Sequence, residues 1–528
     1  MNPDGLSYLD MGEAYLRGDW RMAINAYWSP LYSWLLGSAL KLLKPTPSWE
    51  FPLAHLLNLL IYLLALTSFS LFWREFTTGQ GTRSTALPSW VLTVLGYLLF
   101  LWTSLNLTTL RQVTPDMCVA AVVYLAAALL IRIRTRRAGW GAFAALGLVL
   151  GLGYLAKAAM FPLGLVFIGV TFWAAARQRG AALRPLTTAL AFLAVAGPFV
   201  IVLSKHQGRP TFGDVAKIAY LRYVNQIMDY PARNGAGYAL QKLSGSLEIR
   251  EFRSRPGTYP PWYDPSRSYE GVTPYFHLRQ QLSVLRLNVS YYYHLFFYMD
   301  GLIVAAILLV AGTGRGWQAI RDIGEQWHLL IPSISALVMY SLVYVEGRYI
   351  APFVVLIWTA ILGGPRRPEA QDTRRLASLA GVAVVAVLAT RMGTAALEDV
   401  YSIARSLLGR QSGLAPQSQQ IADGLKQLGV EPGEKVGYIG HPVGGDLMCV
   451  HPDWARLARV QIIAEMPCHQ GAGFLMADPA TKTEVLKAFS KTEAKAVVAK
   501  GLGSWSPGAG WRRLGETSYH VYPLHNGP

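Results

Sequence analysis

Long apolar stretches alternate with short polar segments over the first three quarters of the chain. Each stretch is close to the roughly 20 residues that a helix needs to cross about 30 Å of hydrocarbon. We therefore predict a mainly α, polytopic transmembrane helix bundle over residues 1–396. Its predicted spans, about ten, are residues 51–73, 87–106, 114–131, 140–155, 160–176, 185–204, 291–312, 326–345, 349–363 and 376–396.

The last part of the chain, residues 397–528, has a different pattern. It combines two amphipathic helical stretches, near 417–428 and 481–490, with short β-rich runs. Alternation of this kind is typical of a small α/β sheet, so we predict a C-terminal α/β domain. The β-rich runs are Lys435 to Gly440, Val460 to Ala464, Ala496 to Ala499 and Tyr519 to Tyr522.

Composition narrows the class of protein. Of the 528 residues, 52% are hydrophobic and only 15% are charged, whereas a soluble chain carries about 25% charge. A soluble globule of this size, a disordered chain and a collagen are excluded, and three cysteines are too few for a disulfide framework. The net charge of +17 lies almost entirely in residues 1–396, where it indicates membrane topology and no nucleic-acid partner.

Basic residues also predict the orientation, because short loops rich in Lys and Arg stay in the cytoplasm. If span 51–73 runs inward, most loop arginines fall on one side and the short outer links hold only Arg111, Lys157 and Arg348. The first fifty residues, the long segment 205–290 and the C-terminal domain are then extracytoplasmic. The start resembles no signal peptide, so we expect a further span upstream of Met1. The inner-side arginines are Arg74, Arg83, Arg132, Arg134, Arg136, Arg137, Arg177, Arg179, Arg184, Arg315, Arg321, Arg366, Arg367, Arg374 and Arg375.

Ionisable residues at the predicted outer ends of spans are the candidate functional groups, because a charged side chain there must be paired, hydrated or functional. They are Asp4, Asp116, Lys157 and Arg348. Each also has a structural interpretation: the two acids as helix caps, the lysine as a snorkelling side chain and the arginine as the partner of Glu346. Two acids and two cations from separate segments on one face nevertheless favour a shared site.

Two further features leave alternatives open. Asp10, Glu13 and Arg17 have the spacing of a solvated salt-bridge set on a helix that runs from Leu6 to Arg17. The aromatic stretch Thr258 to Pro265 could stack on a sugar or could pack at the membrane surface.

At these residues the sequence resembles the GT-C class of membrane glycosyltransferases, which includes protein O-mannosyltransferases, lipid A aminoarabinose transferases and uncharacterised bacterial relatives. The matching elements follow the order of the class over residues 1–363. The segment Tyr27–Tyr32 departs from the pattern, since it lacks the basic residue that aminoarabinose enzymes carry there. The elements are Asp4-Gly5-Leu6-Ser7-Tyr8-Leu9, Tyr27-Trp28-Ser29-Pro30-Leu31-Tyr32, Thr114-Pro115-Asp116, the Gly-Leu-Gly-Tyr-Leu-Ala-Lys run that ends at Lys157, and Arg348-Tyr349.

The resemblance implies an enzyme of a bacterial inner membrane, part of the cell envelope. It would move a sugar from a polyprenyl-phosphate carrier to a hydroxyl of a lipid, glycan or protein acceptor on the outer face. Such transfer needs a base for the acceptor and cations for the departing phosphate. The candidate catalytic residues are Asp4, as general base, and Asp116, and the candidate substrate-binding residues are Lys157, Arg348, Tyr349, Asp10 and Tyr8.

Three alternatives accompany this hypothesis. No cofactor is expected, but a divalent metal, if one were used, would take Asp4 and Asp116 as ligands. A multi-span transporter or flippase for a lipid-linked or anionic substrate would instead place paired charges near the bilayer midplane. A membrane-anchored binding protein would use the spans as a scaffold for its C-terminal domain.

Overall fold

A computed structural model defines the architecture of the chain. Of the inner-side arginines, 83, 136, 137, 177, 179, 315, 367 and 374 lie outside the described residues. The structure describes residues 1–79, 85–135, 138–176, 183–227, 239–243, 247–252, 257–297, 302–303, 307, 316–366, 375, 378–379, 381–390, 392–394, 397, 401, 416–440, 451–501 and 508–524.

Three short helices precede the apolar bundle. α1 (Pro3–Arg17) has proline in its first turn, where a missing N–H costs nothing, and ends at Gly18, whose φ of 71° suits a helix C-cap. α2 (Trp20–Ala23) is a single turn, and α3 (Pro30–Leu43) again begins with proline. The helix predicted from Leu6 to Arg17 is therefore observed with one more turn at its start.

The apolar helices follow, mostly at the predicted positions. Four of the described helices, counting Ser89–Thr108 as one, are long and apolar enough to cross a membrane. These four are α4 (Pro47–Gly79), α5 (Ser89–Trp102, continued by a π-helical turn Thr103–Thr108), α6 (Asp116–Thr135) and α9 (Arg184–Gln207). Two shorter apolar helices, α7 (Trp140–Ala156) and α8 (Met160–Ala176), lie between α6 and α9.

The second half of the bundle is built from shorter pieces. After α9 come α10 (Val215–Ala219) with a π-helical turn Tyr220–Val224, α11 (Pro260–Tyr263), α12 (Pro265–Ser268), α13 (Leu278–Phe297), α14 (Gly316–Gly324), α15 (Trp327–Ser341) and α16 (Gly347–Gly363). The predicted span 291–312 differs from the structure, because α13 begins at Leu278, inside the segment predicted as an outer loop. Residues 381–390 are also helical.

Glycines allow close packing of the helices beside the site. A Cβ atom at Gly147 would lie 2.2 Å from the backbone oxygen of Thr188, and one at Gly151 would lie 2.6 Å from the Cβ of Val195. Both contacts join α7 to α9, and a Cβ atom at Gly153 would lie 2.9 Å from the Val122 side chain of α6, so the glycines of the Gly-Leu-Gly run that precedes Lys157 belong to helix packing.

A seven-stranded sheet forms the rest of the molecule, in the order β1-β2-β4-β3-β5-β7-β6. β3 lies in the middle and runs parallel to β4 and β5, whereas the outer pairs are antiparallel. Its strands are β1 (Ala239–Lys242), β2 (Glu248–Glu251), β3 (Lys435–Ile439), β4 (Gln461–Met466), β5 (Ala496–Lys500), β6 (Arg512–Arg513) and β7 (Tyr519–Pro523), and its helices are α17 (Gln417–Gln427), α18 (Asp453–Ala458), α19 (Cys468–Met476) and α20 (Pro479–Ser490).

The sheet is not built from residues 397–528 alone. β2 pairs with β4 through Arg250 opposite Glu465 and Glu251 opposite Ala464, and β1 pairs with β2. The segment predicted as outer loop 205–290 therefore supplies the two strands at one edge of the C-terminal sheet. Its later residues lie beside the helices that carry the candidate site.

Candidate functional site

Four ionisable residues from four helix ends form one connected group, here called the charged cluster: Asp4, Asp116, Lys157 and Arg348. Lys157 Nζ lies 2.5 Å from Asp116 Oδ1. Arg348 reaches both acids, with Nη1 3.3 Å from Asp4 Oδ2 and Nε 3.6 Å from Asp116 Oδ2. The structure thus brings together residues that stand up to 344 positions apart in the chain.

Local structure places each member at a helix end. Asp4 is in the first turn of α1, whose preceding residue Asn2 accepts a 2.9 Å hydrogen bond from the backbone N–H of Val113. That bond sets α1 against the segment that leads to Asp116, the first residue of α6. Lys157 follows the last residue of α7 and has an extended backbone.

Arg348 is in the first turn of α16, directly after the capping residue Glu346 and Gly347. Glu346 Oε1 lies 3.0 Å from Arg348 Nε, so the pair expected from the sequence forms, but it is one part of a larger group. Arg348 Nε is buried and has no well-directed hydrogen-bond partner among the described residues. Nε therefore forms an ion pair with Glu346 without a well-directed hydrogen bond.

The two acids of the cluster, Asp4 and Asp116, differ in solvent exposure. The Asp116 side chain is 2% exposed and lies against both cations, whereas the Asp4 side chain is 13% exposed. Charges that are buried to this degree are stable only when they are paired. Asp116 is consequently a partner of the cations, while Asp4 is the acid that solvent and ligands can reach.

Aromatic rings line the same region. Lys157 Nζ lies 3.5 Å above the centre of the Tyr349 ring, a cation–π geometry that fixes the ammonium. Tyr349 stacks on Tyr340 at 5.4 Å, and Tyr223 stacks on Tyr344 with ring centres 4.1 Å apart. All of these tyrosines are partly exposed.

Trp262 is the residue at this site that the sequence analysis did not single out. Its indole N–H donates to Asp4 Oδ1 at 3.1 Å, and its backbone oxygen accepts from Ser7 Oγ at 3.0 Å. It lies in α11, within the aromatic stretch Thr258 to Pro265. Proline-rich aromatic sequence in a long polar segment was the available signal, but nothing in the sequence linked it to Asp4.

Two predicted binding residues are buried, and one of them, Tyr8, lies one helical turn after Asp4 in α1. Tyr8 is buried and packs edge-on against Trp28 and Tyr32, with ring centres 5.1 and 5.2 Å away. Asp10 is also buried, and its carboxylate accepts from Arg456 Nη1 of the sheet domain at 2.6 Å. The interpretation of Asp10 as part of a solvated set therefore differs from the structure.

No three His, Cys, Asp or Glu side chains converge on a possible metal position in the part of the chain that the structure describes. Between the two acids that the metal hypothesis names, Asp4 and Asp116, lies the guanidinium of Arg348. Two carboxylates with an arginine between them match the charge pattern of an ion-pair network.

A separate cavity of about 260 Å³ lies at the other end of α6 and is lined by polar residues that include Arg134, Gln326 and His328. Arg134 Nη1 lies 2.9 Å from His328 Nδ1. A 20-residue helix is about 30 Å long, so this cavity is not part of the charged cluster.

No family model and no curated protein sequence matches the chain. Two solved structures do. The first is ArnT from Cupriavidus metallidurans bound to undecaprenyl phosphate, with 15% identity, a TM-score of 0.48 and coverage of 99% of this chain and 93% of that chain. The second is the same protein in the apo state, with 13% identity, a TM-score of 0.43 and coverage of 100% and 95%.

ArnT is a GT-C aminoarabinose transferase, which is the class that the sequence motifs resemble. Both alignments extend over nearly the whole of this chain.

Proposed function

We propose that this protein is an integral membrane glycosyltransferase that moves a hexosyl or pentosyl group from a polyprenyl-phosphate carrier to an acceptor hydroxyl. The observation that carries the proposal is Arg348 between Asp4 and Asp116, with Lys157 on the far side of Asp116. This arrangement supplies a reachable carboxylate and two cations at one place, which are the groups that sugar transfer from a phosphate requires.

Asp4 is the proposed general base. Its carboxylate is more exposed than that of Asp116, and Trp262 and Arg348 hold it from two sides. In the reaction the acceptor oxygen forms a bond to the sugar C1 as the C1–O bond to phosphate breaks, and the acceptor proton passes to Asp4. The bonding electrons leave with the phosphate, and a single displacement of this kind needs one base only.

Lys157 and Arg348 are proposed to bind the phosphate that departs. The Arg348 guanidinium has five donors, of which one is directed to Asp4, and the Lys157 ammonium has three, of which one is directed to Asp116. Charge-assisted hydrogen bonds to phosphate oxygens strengthen as negative charge develops on the leaving group. Asp116 is proposed to hold both cations in place, and so acts through them.

The proposal includes a location. The positive-inside distribution of arginines supports a bacterial inner membrane protein whose charged cluster and C-terminal domain face the extracytoplasmic side. A polyprenyl carrier would lie in the outer leaflet beside the cluster, and the acceptor, a lipid, glycan or protein, would reach Asp4 from the aqueous side.

The test is transfer by the purified full chain. A panel of radiolabelled undecaprenyl-phosphate-linked hexoses and pentoses is offered with a membrane extract as acceptor source. We expect covalent transfer by the wild type and a loss of at least about 100-fold in Asp4→Asn, since an activating base contributes 10²–10⁴-fold.

Asp19→Asn is the matched control, because Asp19 lies in the same N-terminal region and caps α2 without contact to the charged cluster. It should transfer at the wild-type rate. Equal rates for Asp4→Asn and the wild type would remove Asp4 as base. Uptake of the lipid-linked sugar into sealed vesicles without covalent transfer would favour the transporter instead.

A further inference from the structure

Arg456, which belongs to the sheet domain, is buried against the N-terminal helices. It lies in α18 with its side chain 3% exposed and contacts three carboxylates: Nη1 is 2.6 Å from Asp10, Nη2 is 2.7 Å from Glu13 and Nε is 3.0 Å from Glu50. Each of the three guanidinium nitrogens therefore contacts a different carboxylate of one acidic group.

Arg459 also contacts this group, here called the acidic nest of Asp10, Glu13 and Glu50. It pairs with Glu13 at 2.8 Å and with Glu50, and its side chain is 32% exposed. Although burial opposes it, the pKa of Glu13 is held below its ordinary value by the two arginines. Arg459 shares two partners with Arg456, but its described contacts do not include Asp10, which makes it a matched control.

From Asp10 the contacts continue towards the charged cluster. Asp10 accepts the backbone N–H of Thr258 at 2.6 Å and the Thr258 hydroxyl at 2.9 Å. The backbone oxygen of Thr258 in turn accepts the N–H of Ile462 in β4 at 3.0 Å. Thr258 is thus fixed between α1 and the sheet.

Four residues after Thr258 comes Trp262, which donates to Asp4. The intervening stretch is Tyr259, Pro260 and Pro261, which has little conformational freedom because both prolines fix φ. Tyr259 is also anchored, through its hydroxyl, to Glu465 at 2.7 Å. A change in the position of Thr258 is consequently transmitted to Trp262.

We propose that Arg456 is a positioning residue: through Asp10 and Thr258 it sets Trp262 against Asp4, so that the sheet domain fixes the geometry of the proposed base. This inference rests on the proposed function for its effect on transfer, but its structural claim stands on its own. The sheet domain would then be required for the chemistry and not only for binding an acceptor.

The experiment has one readout that needs no activity. The full chain is labelled with 5-fluorotryptophan, and the Trp262 resonance is assigned by its absence in Trp262→Phe. Arg456→Gln should shift or broaden that resonance, and Arg459→Gln should leave it unchanged. An unchanged Trp262 resonance in folded Arg456→Gln overturns the proposal whatever reaction the protein catalyses.

The second readout is a kinetic cycle with an undecaprenyl-phosphate-linked sugar. Arg456→Gln should lower kcat by up to about tenfold at little cost in KM, since it disturbs the same hydrogen bond to Asp4 that Trp262→Phe removes. In the Trp262→Phe background the same substitution should have a much smaller effect, because both changes disturb one contact. Independent, multiplying losses would overturn the proposal.

If Arg456→Gln does not fold, Thr258→Val replaces it, because it removes only the hydroxyl donor to Asp10. It should displace the Trp262 resonance in the same direction and to a smaller extent, and no displacement overturns the proposal. If the wild type transfers no sugar from any donor, the proposed function fails while the resonance measurement still decides the role of Arg456.

Discussion

Trp262 donates its indole N–H to the carboxylate of Asp4 across 258 positions of the chain, at 3.1 Å. The bond joins the long polar segment after α9 to the first turn of α1. Because Arg348 holds the other carboxylate oxygen, Asp4 is fixed from both sides, with its remaining lone pairs open. A base held in this way needs little reorganisation when its acceptor binds.

Replacement of Trp262 by phenylalanine removes the donor and keeps an aromatic ring. We expect kcat/KM for sugar transfer to fall about tenfold, the value of one hydrogen bond to a charged group. Trp20→Phe is the control, since Trp20 is an exposed tryptophan in the N-terminal region that also contains Asp4. Unchanged kinetics in Trp262→Phe would show that the indole N–H is not needed to position Asp4.

The sequence predicts the parts of this site that lie at the ends of elements. Asp116 after Thr114-Pro115, Lys157 after a glycine-rich helix and Arg348 before a late span each mark a helix boundary. Helix boundaries of a membrane bundle meet at its two faces, so topology alone places these residues together. The positions of most apolar helices follow from the same reasoning.

The contacts made by the long segment 205–290 are not predictable in this way. Its strands β1 and β2 are short; β1 pairs with β2, and β2 pairs with β4, which comes more than 200 residues later in the chain. Likewise Arg456 lies outside the two helical stretches predicted in residues 397–528, and no sequence pattern marks it. Only tertiary pairing places it among Asp10, Glu13 and Glu50.

Neutralising Asp116 should reduce the stability of the folded protein more than neutralising any other member of the charged cluster. Asp116→Asn leaves Lys157 and Arg348 with one carboxylate fewer in a buried site, which typically costs about 3–5 kcal/mol. We therefore expect a marked decrease in the thermal unfolding midpoint of the protein in detergent. Removal of the lysine as well, in Asp116→Asn with Lys157→Met, should recover part of the loss, because an unpaired ammonium is no longer buried.

If the double variant is no more stable than Asp116→Asn alone, the 2.5 Å pair of Asp116 and Lys157 is not the source of the cost. The same variants also allow a comparison of ligand binding. Binding of undecaprenyl phosphate should be weaker in the double variant than in the wild type, since one of the two proposed phosphate ligands is gone.

Close contact between α1 and α3 should also be essential for the stability of the folded protein. A Cβ atom at Gly37 would lie 2.8 Å from the backbone oxygen of Gly12, and one at Gly12 would lie 2.9 Å from the backbone oxygen of Ser33. Gly37→Ala must therefore push the helices apart, at a cost of about 1–3 kcal/mol in the free energy of unfolding.

The matched substitution is Gly169→Ala, in a helix where a Cβ atom meets nothing within 4 Å. It should leave the free energy of unfolding unchanged or raise it slightly, because alanine favours the helix. Equal stability of the two alanine variants, measured by thermal unfolding, would contradict close packing of α1 on α3. Since α1 carries Asp4, Gly37→Ala should also reduce transfer.

Glu465 should make the stability of the sheet domain depend on pH. It is a buried residue of β4 that accepts a hydrogen bond from Tyr259, with Arg250 opposite it in β2. Burial raises the pKa of Glu465 to about 7, against an ordinary value of 4.5, although Tyr259 and Arg250 act in the other direction. The folded state therefore holds a proton that the unfolded state releases.

The direction of the pH dependence follows from this difference in proton binding between the folded and unfolded states. Between about pH 4.5 and pH 7 the folded state binds more protons, so the free energy of unfolding decreases as the pH rises through this window, by up to about 3 kcal/mol. Glu465→Gln keeps a neutral side chain at every pH, so its unfolding midpoint should be higher than that of the wild type at pH 8 and similar at pH 4.5. Glu516→Gln, at an exposed position, should follow the wild-type curve. A wild-type curve that rises or stays flat between pH 4.5 and pH 7, parallel to that of Glu465→Gln, would show that Glu465 is ionised in the folded protein at neutral pH.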